Sequence, residues 1–292
     1  MLQPTYEPHE QIERARDGRG FEAAAAGLWC CGELAGLGRP CVAVVGTRAA
    51  TPYGRRLAHQ FAAELVQAGC CVISGLALGI DAAAHEGALS ARGATVAVLG
   101  GGHRHLFPMR NSSLAERIVA EGGAVLSPYP PEREPRPWQF LARNGVVAAL
   151  ADAVLVVEAP ARSGALNTAG WAAGRIPVLA VPGDVDRKHS AGCLALIRDG
   201  ATLARTPGDV LEALGRLTLA TPPAPATPRD PVARVLLAAI DGGACALDDI
   251  VAASGIAPAA ALAALTLLEL DGSVESCGAS RYSRASSEMQ RQ

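Results

Sequence analysis

Lysine is nearly missing from this sequence: Lys188 is the single lysine among 26 basic residues. Together with the alanine excess this reads as genomic composition and carries no functional weight. Cysteine occurs eight times, at Cys30, Cys31, Cys41, Cys70, Cys71, Cys193, Cys245 and Cys277, but no C-x-x-C is formed and no histidine stands at zinc-ligand spacing. The thiols therefore read as small buried hydrophobes in a reducing compartment. No apolar run reaches membrane-spanning length. Residues 1–20 carry Glu7, Glu10, Glu13 and Asp17 without the apolar core of a signal peptide, so a cytoplasmic protein with no membrane partner is expected. Phosphate-cofactor motifs are absent too. No G-x-G-x-x-G opens the first helix and no G-K-[ST] exists, which argues against dinucleotide cofactors and ATP hydrolysis. His103 and His105 flank Arg104 with no acidic pair beside them, and read as solvated or hydrogen-bonded side chains. Neither a cofactor nor a metal is expected.

Net charge is −2, which excludes a wholly basic nucleic-acid binder, yet the charge is unevenly spread. Residues 38–216 hold eighteen Lys/Arg against fourteen acids, whereas residues 1–37 hold three against six and residues 231–292 hold four against seven. The basic surplus lies in the middle segment alone. A surplus of that size suits a local anion-binding groove.

From Cys41 onward short apolar runs alternate with amphipathic stretches: Cys41–Val45, Cys70–Ser74, Thr95–Leu99, Ala124–Leu126, Ala153–Val157 and Val178–Val181. Near-continuous apolarity predicts parallel strands buried on both faces. The first helix opens at Thr51-Pro52, a hydroxyl N-cap before a proline at the first helical position, and its apolar face recurs at Leu57, Phe61, Ala62 and Leu65. The pattern predicts an α/β fold with a mostly parallel sheet, helices on both faces, and ligands at the carboxyl ends of the strands. The Pro/Ala/Thr-rich segment 218–231 predicts an extended linker. Beyond it, Val232–Ile240, Leu247–Ser254 and Pro258–Leu270 read as helices and Val274–Arg284 as a hairpin through Gly278, together a small winged helix. The Ala-rich stretch Phe21–Leu28 predicts a helix.

The predicted strands end in small-residue loops: Gly46-Thr47-Arg48, then Ser74-Gly75 leading to Gly79, then Gly100-Gly101-Gly102, and Arg162-Ser163-Gly164 leading to Thr168. Glycine lets backbone N–H groups approach an anion, and a helix N-terminus favours one. Arg48 adds a charged contact, and Thr47, Ser74, Ser163 and Thr168 add hydroxyls. Any one loop is equally well explained as a tight strand-to-helix turn; four together favour a ligand. The proline-rich stretch 128–144 interleaves Arg133, Arg136 and Arg143 with Tyr129, Trp138 and Phe140, the components of a single-strand groove. A surface loop anchored by its aromatics is the alternative.

The order of these elements resembles the DprA/Smf family: GTR at 46–48, SGLALGIDAAAHEGAL at 74–89, VLGGG at 98–102 with Phe107-Pro108 and Asn111, SPYPP at 127–131, Phe140, Arg143-Asn144, SGALNTA at 163–169, VPG at 181–183 and LIRDGA at 196–201. The resemblance covers residues 40–284 and implies a Rossmann-like domain that binds single-stranded DNA without catalysis, forms a homodimer, and loads the RecA recombinase during natural transformation and recombination. A single-strand-binding protein is a further partner it admits. It implies DNA contacts at Gly46, Thr47, Arg48, Ser74, Gly75, Gly79, Gly101, Arg104, Asn111, Phe140, Arg143, Asn144, Ser163, Gly164 and Thr168, with Arg48, Arg143 and Asn144 on phosphates and Phe140 on a base. The expected division is a helical extension over 1–39, a DNA-binding domain over 40–217, the linker 218–231, a winged helix over 232–285 and a tail over 286–292.

Four positions depart from the family pattern: Leu78 and Gly145 replace usual arginines, Arg104 an acid, and Pro128 a glutamate. The N-terminal domain of many members looks truncated. Two rivals differ in class. A nucleotide-processing enzyme of a related Rossmann-like family would use a glutamate in the fourth loop, where SGALNTAGW has none and Glu158 sits at the end of the preceding strand. A duplex-reading regulator would need polar groups on the third helix of the winged domain, and Pro258–Leu270 has no Lys, Arg, Asn or Gln.

Overall fold

The computed structural model describes residues 2–18, 26–215, 231–270, 273–276 and 281–284. The chain divides into two compact units, Met1–Leu217 and Thr218–Gln292. Gly278, most of the expected linker and the tail lie outside the described residues, as does most of the Ala-rich stretch.

In the first unit β3 (Cys41–Val45), β4 (Cys71–Ser74), β5 (Thr95–Val98), β6 (Ala124–Ser127), β7 (Ala153–Val156) and β8 (Val178–Ala180) form the predicted parallel strands, each within one residue of its expected ends. Their side chains alternate between faces. Cys41, Ala43 and Val45 pack on one face with Val147 and Leu150, while Val42 and Val44 pack on the other with Phe61 and Leu65. The helices between them are α2 (Pro52–Gln67), α3 (Ile80–Ser90), α4 (Ser112–Ala120), α5 (Pro137–Leu150), α6 (Gly164–Ala172), α7 (Ala191–Arg198) and α8 (Pro207–Ala213). α2 begins as the sequence dictates: Thr51 accepts from the Gly54 N–H, with Pro52 at the first helical position.

The N-terminal segment differs from the helical extension expected over 1–39. It contains β1 (Thr5–Pro8), α1 (His9–Ala15) and β2 (Gly27–Gly32), and both strands join the main sheet. The sheet thus has nine strands among the described residues, in the order β1-β2-β6-β5-β4-β3-β7-β8-β9, with β9 at Thr202–Leu203. β2 runs antiparallel to β6, so a run as short as Leu28 to Cys31 becomes a buried strand; alanine's helix propensity in the preceding stretch masked it. Tyr6 and Trp29 are cross-strand partners whose rings meet edge to face at 5.4 Å between centroids.

One ion pair, buried at Arg16 and half-buried at Asp152, fastens this segment to the sheet. Arg16, 2% exposed, donates to the Leu150 carbonyl and to Asp152 Oδ1 at 3.2 Å, and Asp152 Oδ2 accepts the Cys41 N–H at 2.7 Å. α1 is thereby tied to the turn between α5 and β7.

The second unit holds α9 (Pro231–Asp241), α10 (Leu247–Ser254), α11 (Pro258–Leu270) and a β10–β11 hairpin of Val274–Ser276 and Tyr282–Arg284. Leu236, Ile240, Ile250, Leu265 and Val274 form its core. The solvent face of α11 presents Leu262, Thr266, Leu267 and the acidic Glu269. Among the described residues no single helix is long and apolar enough to cross a membrane.

Removing Arg16 leaves Asp152 partly solvated and still bonded to the Cys41 N–H, and typically costs about 1–3 kcal/mol. Arg16→Ala should destabilise the first unit by an amount near that range, read as a shift in urea midpoint; a loss below about 1 kcal/mol would show that the pair does not hold the N-terminal segment.

Candidate functional site

Strand order places the site. β3 is central: β4, β5 and β6 follow it on one side, while β7, β8 and β9 lie on the other. Crossovers leaving β3 and β7 diverge, opening a crevice at their carboxyl ends. A cleft of about 720 Å³ lies there, lined by the loops after β3, β4 and β7 and by the first two turns of α5 and α6.

Ten of the residues expected at the site line this cleft: Gly46, Thr47, Arg48, Gly75, Phe140, Arg143, Asn144, Ser163, Gly164 and Thr168. The other five are placed differently. Ser74 is fully buried and donates to the Val44 carbonyl at 2.6 Å, so its hydroxyl is used inside the sheet. Asn111 Nδ2 donates to the Leu76 and Ala77 carbonyls at 2.9 and 3.2 Å, clamping the loop after β4 from behind. Gly79 opens α3 at φ +83°, packed on the Thr47 carbonyl where a Cβ would collide. Gly101 packs on Pro135 and accepts from Ser127 Oγ at 2.8 Å. Arg104 is exposed and pairs with Glu132 at 3.1 Å.

The helix N-termini are largely satisfied from within. Glu158, at the end of β7, accepts the Thr51 N–H and hydroxyl, both at 2.8 Å, and so caps α2. Asp81, in the first turn of α3, accepts the Gly75 N–H at 3.1 Å. Burial pushes its carboxyl above the usual range, and nearby Arg143 pulls it back. Ser163 accepts the Ala165 N–H at 3.2 Å at the start of α6.

Arg143 departs from the phosphate-contact role that the resemblance implies. It is 4% exposed, its Nη1 donates to the Val98 carbonyl, and it lies over Gly75 so closely that any Cβ there would collide. Burial draws its guanidinium down to about 10, with Asp81 opposing the shift. The charge therefore faces inward, toward Asp81, and Arg143 forms the floor. Asn144 likewise braces the α6 loop, donating to the Gly164 carbonyl at 3.1 Å and to Asn167 Oδ1 at 3.3 Å.

Exposed chemistry remains at the rim. Arg48 lies over the Phe140 ring at 5.3 Å, and Phe140 meets Phe107 edge to face at 5.8 Å. Phe107, Leu141 and Arg162 line the same rim and are exposed; the sequence reading did not single them out as contacts. Their signal was faint, a phenylalanine before a proline and an arginine inside an already suspected loop. Tyr129 and Trp138 form their own edge-to-face pair at 6.2 Å beside the cleft.

The profile of the DNA recombination-mediator protein A family matches residues 15–215, and that of the DprA winged helix domain matches residues 220–279. The chain belongs to the DNA recombination-mediator protein A family. A putative DNA processing protein DprA of Mycobacterium tuberculosis is 43% identical over 258 residues, covering 85% of this chain and 66% of its own length. Protein Smf of Synechocystis is 36% identical over 280 residues, covering 84% of this chain and 70% of its own. The chain thus spans about two thirds of the length of these relatives. Among solved structures, DprA of Streptococcus pneumoniae superposes with a TM-score of 0.61 at 39% identity over 65% of this chain and 66% of that one. DNA processing protein A of Helicobacter pylori, whose structure addressed its unique single-stranded-DNA binding mode, gives 0.63 at 28% identity over 74% of this chain and 97% of that one. Gly145 lies beside the Trp171 indole, which an added Cβ would meet at 3.2 Å.

His103 and His85 each have one ring nitrogen held by a protein group. His103 Nε2 lies 2.9 Å from the Val125 carbonyl, and His85 Nδ1 lies 2.7 Å from Thr95 Oγ1. Burial holds the His85 imidazole down to about 3, and the Arg143 charge adds to this. Unfolded, it titrates near 6.5, so between those values only the unfolded chain takes up the proton. The stability from this neutral burial is complete above about pH 6.5 and is lost as pH falls toward 3, by up to about 1.4 kcal/mol per unit. His85→Gln should flatten that acid slope. Urea midpoints from about pH 7 down to pH 4 would check it, and an unaltered slope would assign the acid sensitivity elsewhere.

Proposed function

We propose that the first unit binds single-stranded DNA in this cleft and does so without catalysis. The observation that carries the reading is the pairing of Arg48 with Phe140 at the rim: a cation for phosphate and a ring for a base sit side by side where the sheet opens. α6 opens onto the same cleft through Gly164 and Ala165, adding a helix N-terminus that favours an anion. The relative from Helicobacter pylori, described for its single-stranded-DNA binding mode, supports the same assignment.

The non-catalytic reading rests on the carboxylates. Asp81 is occupied by the Gly75 and Ala77 N–H groups, and Glu158 by Thr51. Neither is placed as a free general acid or base for the rival nucleotide-processing activity. The reading extends, on family grounds, to a homodimer, to cytoplasmic action, and to passing the bound strand to RecA during natural transformation, with a single-strand-binding protein as a further partner. In the second unit, α11 has no Lys, Arg, Asn or Gln and exposes Glu269, which favours a role other than reading duplex bases.

Fluorescence anisotropy across a salt series tests the reading. Single-stranded oligonucleotides should bind more tightly than duplex of the same sequence, and equal affinities would overturn it. The two rim residues should separate. Arg48→Ala should reduce the slope of log affinity against log salt by up to about 0.7, whereas Phe140→Ala should cost roughly 1–3 kcal/mol of binding with the slope nearly unchanged. If Phe140→Ala instead lowers the melting temperature and alters binding only through that, the ring is an anchor for Phe107 and Gly100 rather than a stacking platform.

A further inference from the structure

Outside the cleft, the first two turns of α2 carry an exposed cationic face. Gly54, Ala58, Phe61 and Ala62 turn inward, and the helical period therefore sends Tyr53, Arg55, Arg56 and His59 to solvent. Tyr53 is 49% exposed, and the Arg56 guanidinium lies over its ring at 5.4 Å. The only acid in the helix, Glu64, accepts from Gln60 at 2.9 Å. Among the described residues no carboxylate lies within the 4.0 Å ion-pair distance of Arg55 or Arg56. Some other exposed arginines are held, Arg104 by Glu132, Arg198 by Asp199 and Arg205 by Asp209. Glu158, which caps the same helix, is buried and turned onto Thr51, so it does not neutralise the outer face.

This face follows the cleft closely along the chain. Arg48 lines the cleft, and Tyr53 follows it by five residues, a separation of at most about 18 Å along the chain. The cleft itself presents two outward cations, Arg48 and Arg162, while Arg143 is buried and donates to the Val98 carbonyl. A strand longer than the cleft would leave it with unneutralised phosphates, and the α2 face offers the matching charge together with a ring.

We infer that the outer face of α2, formed by Tyr53, Arg55 and Arg56, is a second contact for the sugar–phosphate backbone of a single strand that leaves the cleft past Arg48. The inference rests on the single-strand reading of the cleft. Arg55 and Arg56 meet phosphates, and Tyr53, braced by Arg56, meets a base or sugar.

The test uses the full chain, oligothymidylates of about 6 and about 20 nucleotides, and a salt series. The double variant Arg55→Ala/Arg56→Ala should bind the short oligonucleotide as the wild type does. On the long one it should lose at least about tenfold in affinity, with the salt slope reduced by about 1.4, or about 0.7 for each of two phosphates. Arg55→Lys/Arg56→Lys should restore most of that slope. Melting temperatures of both variants at the wild-type value exclude misfolding as the cause. Unchanged binding of the long strand overturns the inference, leaves the cleft reading intact, and points the face toward an acidic protein surface. An equal loss on both lengths also overturns it, because the arginines would then belong to the cleft or to the fold. Failure of the wild type to bind either length overturns the cleft reading itself.

Discussion

The structure depends on a sheet that is buried on both faces. All five residues of β3 are at most 5% exposed, and those of β4 and β7 are fully buried, so of these strands only Val45, at the end of β3, borders the cleft. Parallel pairing also requires each strand to be left by a helical crossover, which collects every loop that follows a strand at one end. With β3 in the middle and the crossovers departing to either side, the loops after β3 and β7 separate there. The cleft is the consequence of that topology, before any particular side chain is considered.

A second layer of constraint concerns polar groups at those loop ends. Helix N-termini and loop N–H groups cannot be left unpaired near a buried sheet. Thr51 and Glu158 serve α2, Asp81 serves the loop before α3, and Ser163 serves α6. Asn111, Asn144 and Arg143 then brace the loops against one another. These groups share residue types with ligand-binding groups, but their hydrogen bonds turn inward. They hold the loops in a fixed shape, so the groups at the rim meet a ligand without first being ordered. Arg48, Phe140, Phe107, Leu141 and Arg162 are the outward part of the site.

The N-terminal segment shows how a core can be extended at little cost in chain length. Two strands of four and six residues continue the sheet beyond β6. The buried Arg16, just after α1, reaches the Leu150 carbonyl and Asp152 at the opposite end of α5 from the cleft. Support for the sheet and contact with a ligand are thus divided between its two ends.

The sequence by itself determined the six parallel strands, the hydroxyl-proline start of α2 and the glycine loops, because each is written in adjacent residues as apolar runs, caps and turn formers. The ordered motifs from GTR to LIRDGA also carried the family. It did not reveal β1, β2 or β9, whose pairing comes from residues far along the chain: Trp29 faces Ser127, and Thr202 faces Leu179. Nor could it sort the candidate residues. Ser74 and Thr47 are alike as letters in small-residue loops, yet one hydroxyl is sealed beneath Val44 and the other borders the cleft. Arg48 and Arg143 are alike as cations, yet one lies over Phe140 at the rim while the other is buried beside Asp81. Whether a polar group faces a ligand or its own protein depends on what the tertiary fold brings within about 3 Å of it, and that was decided only when the loops met.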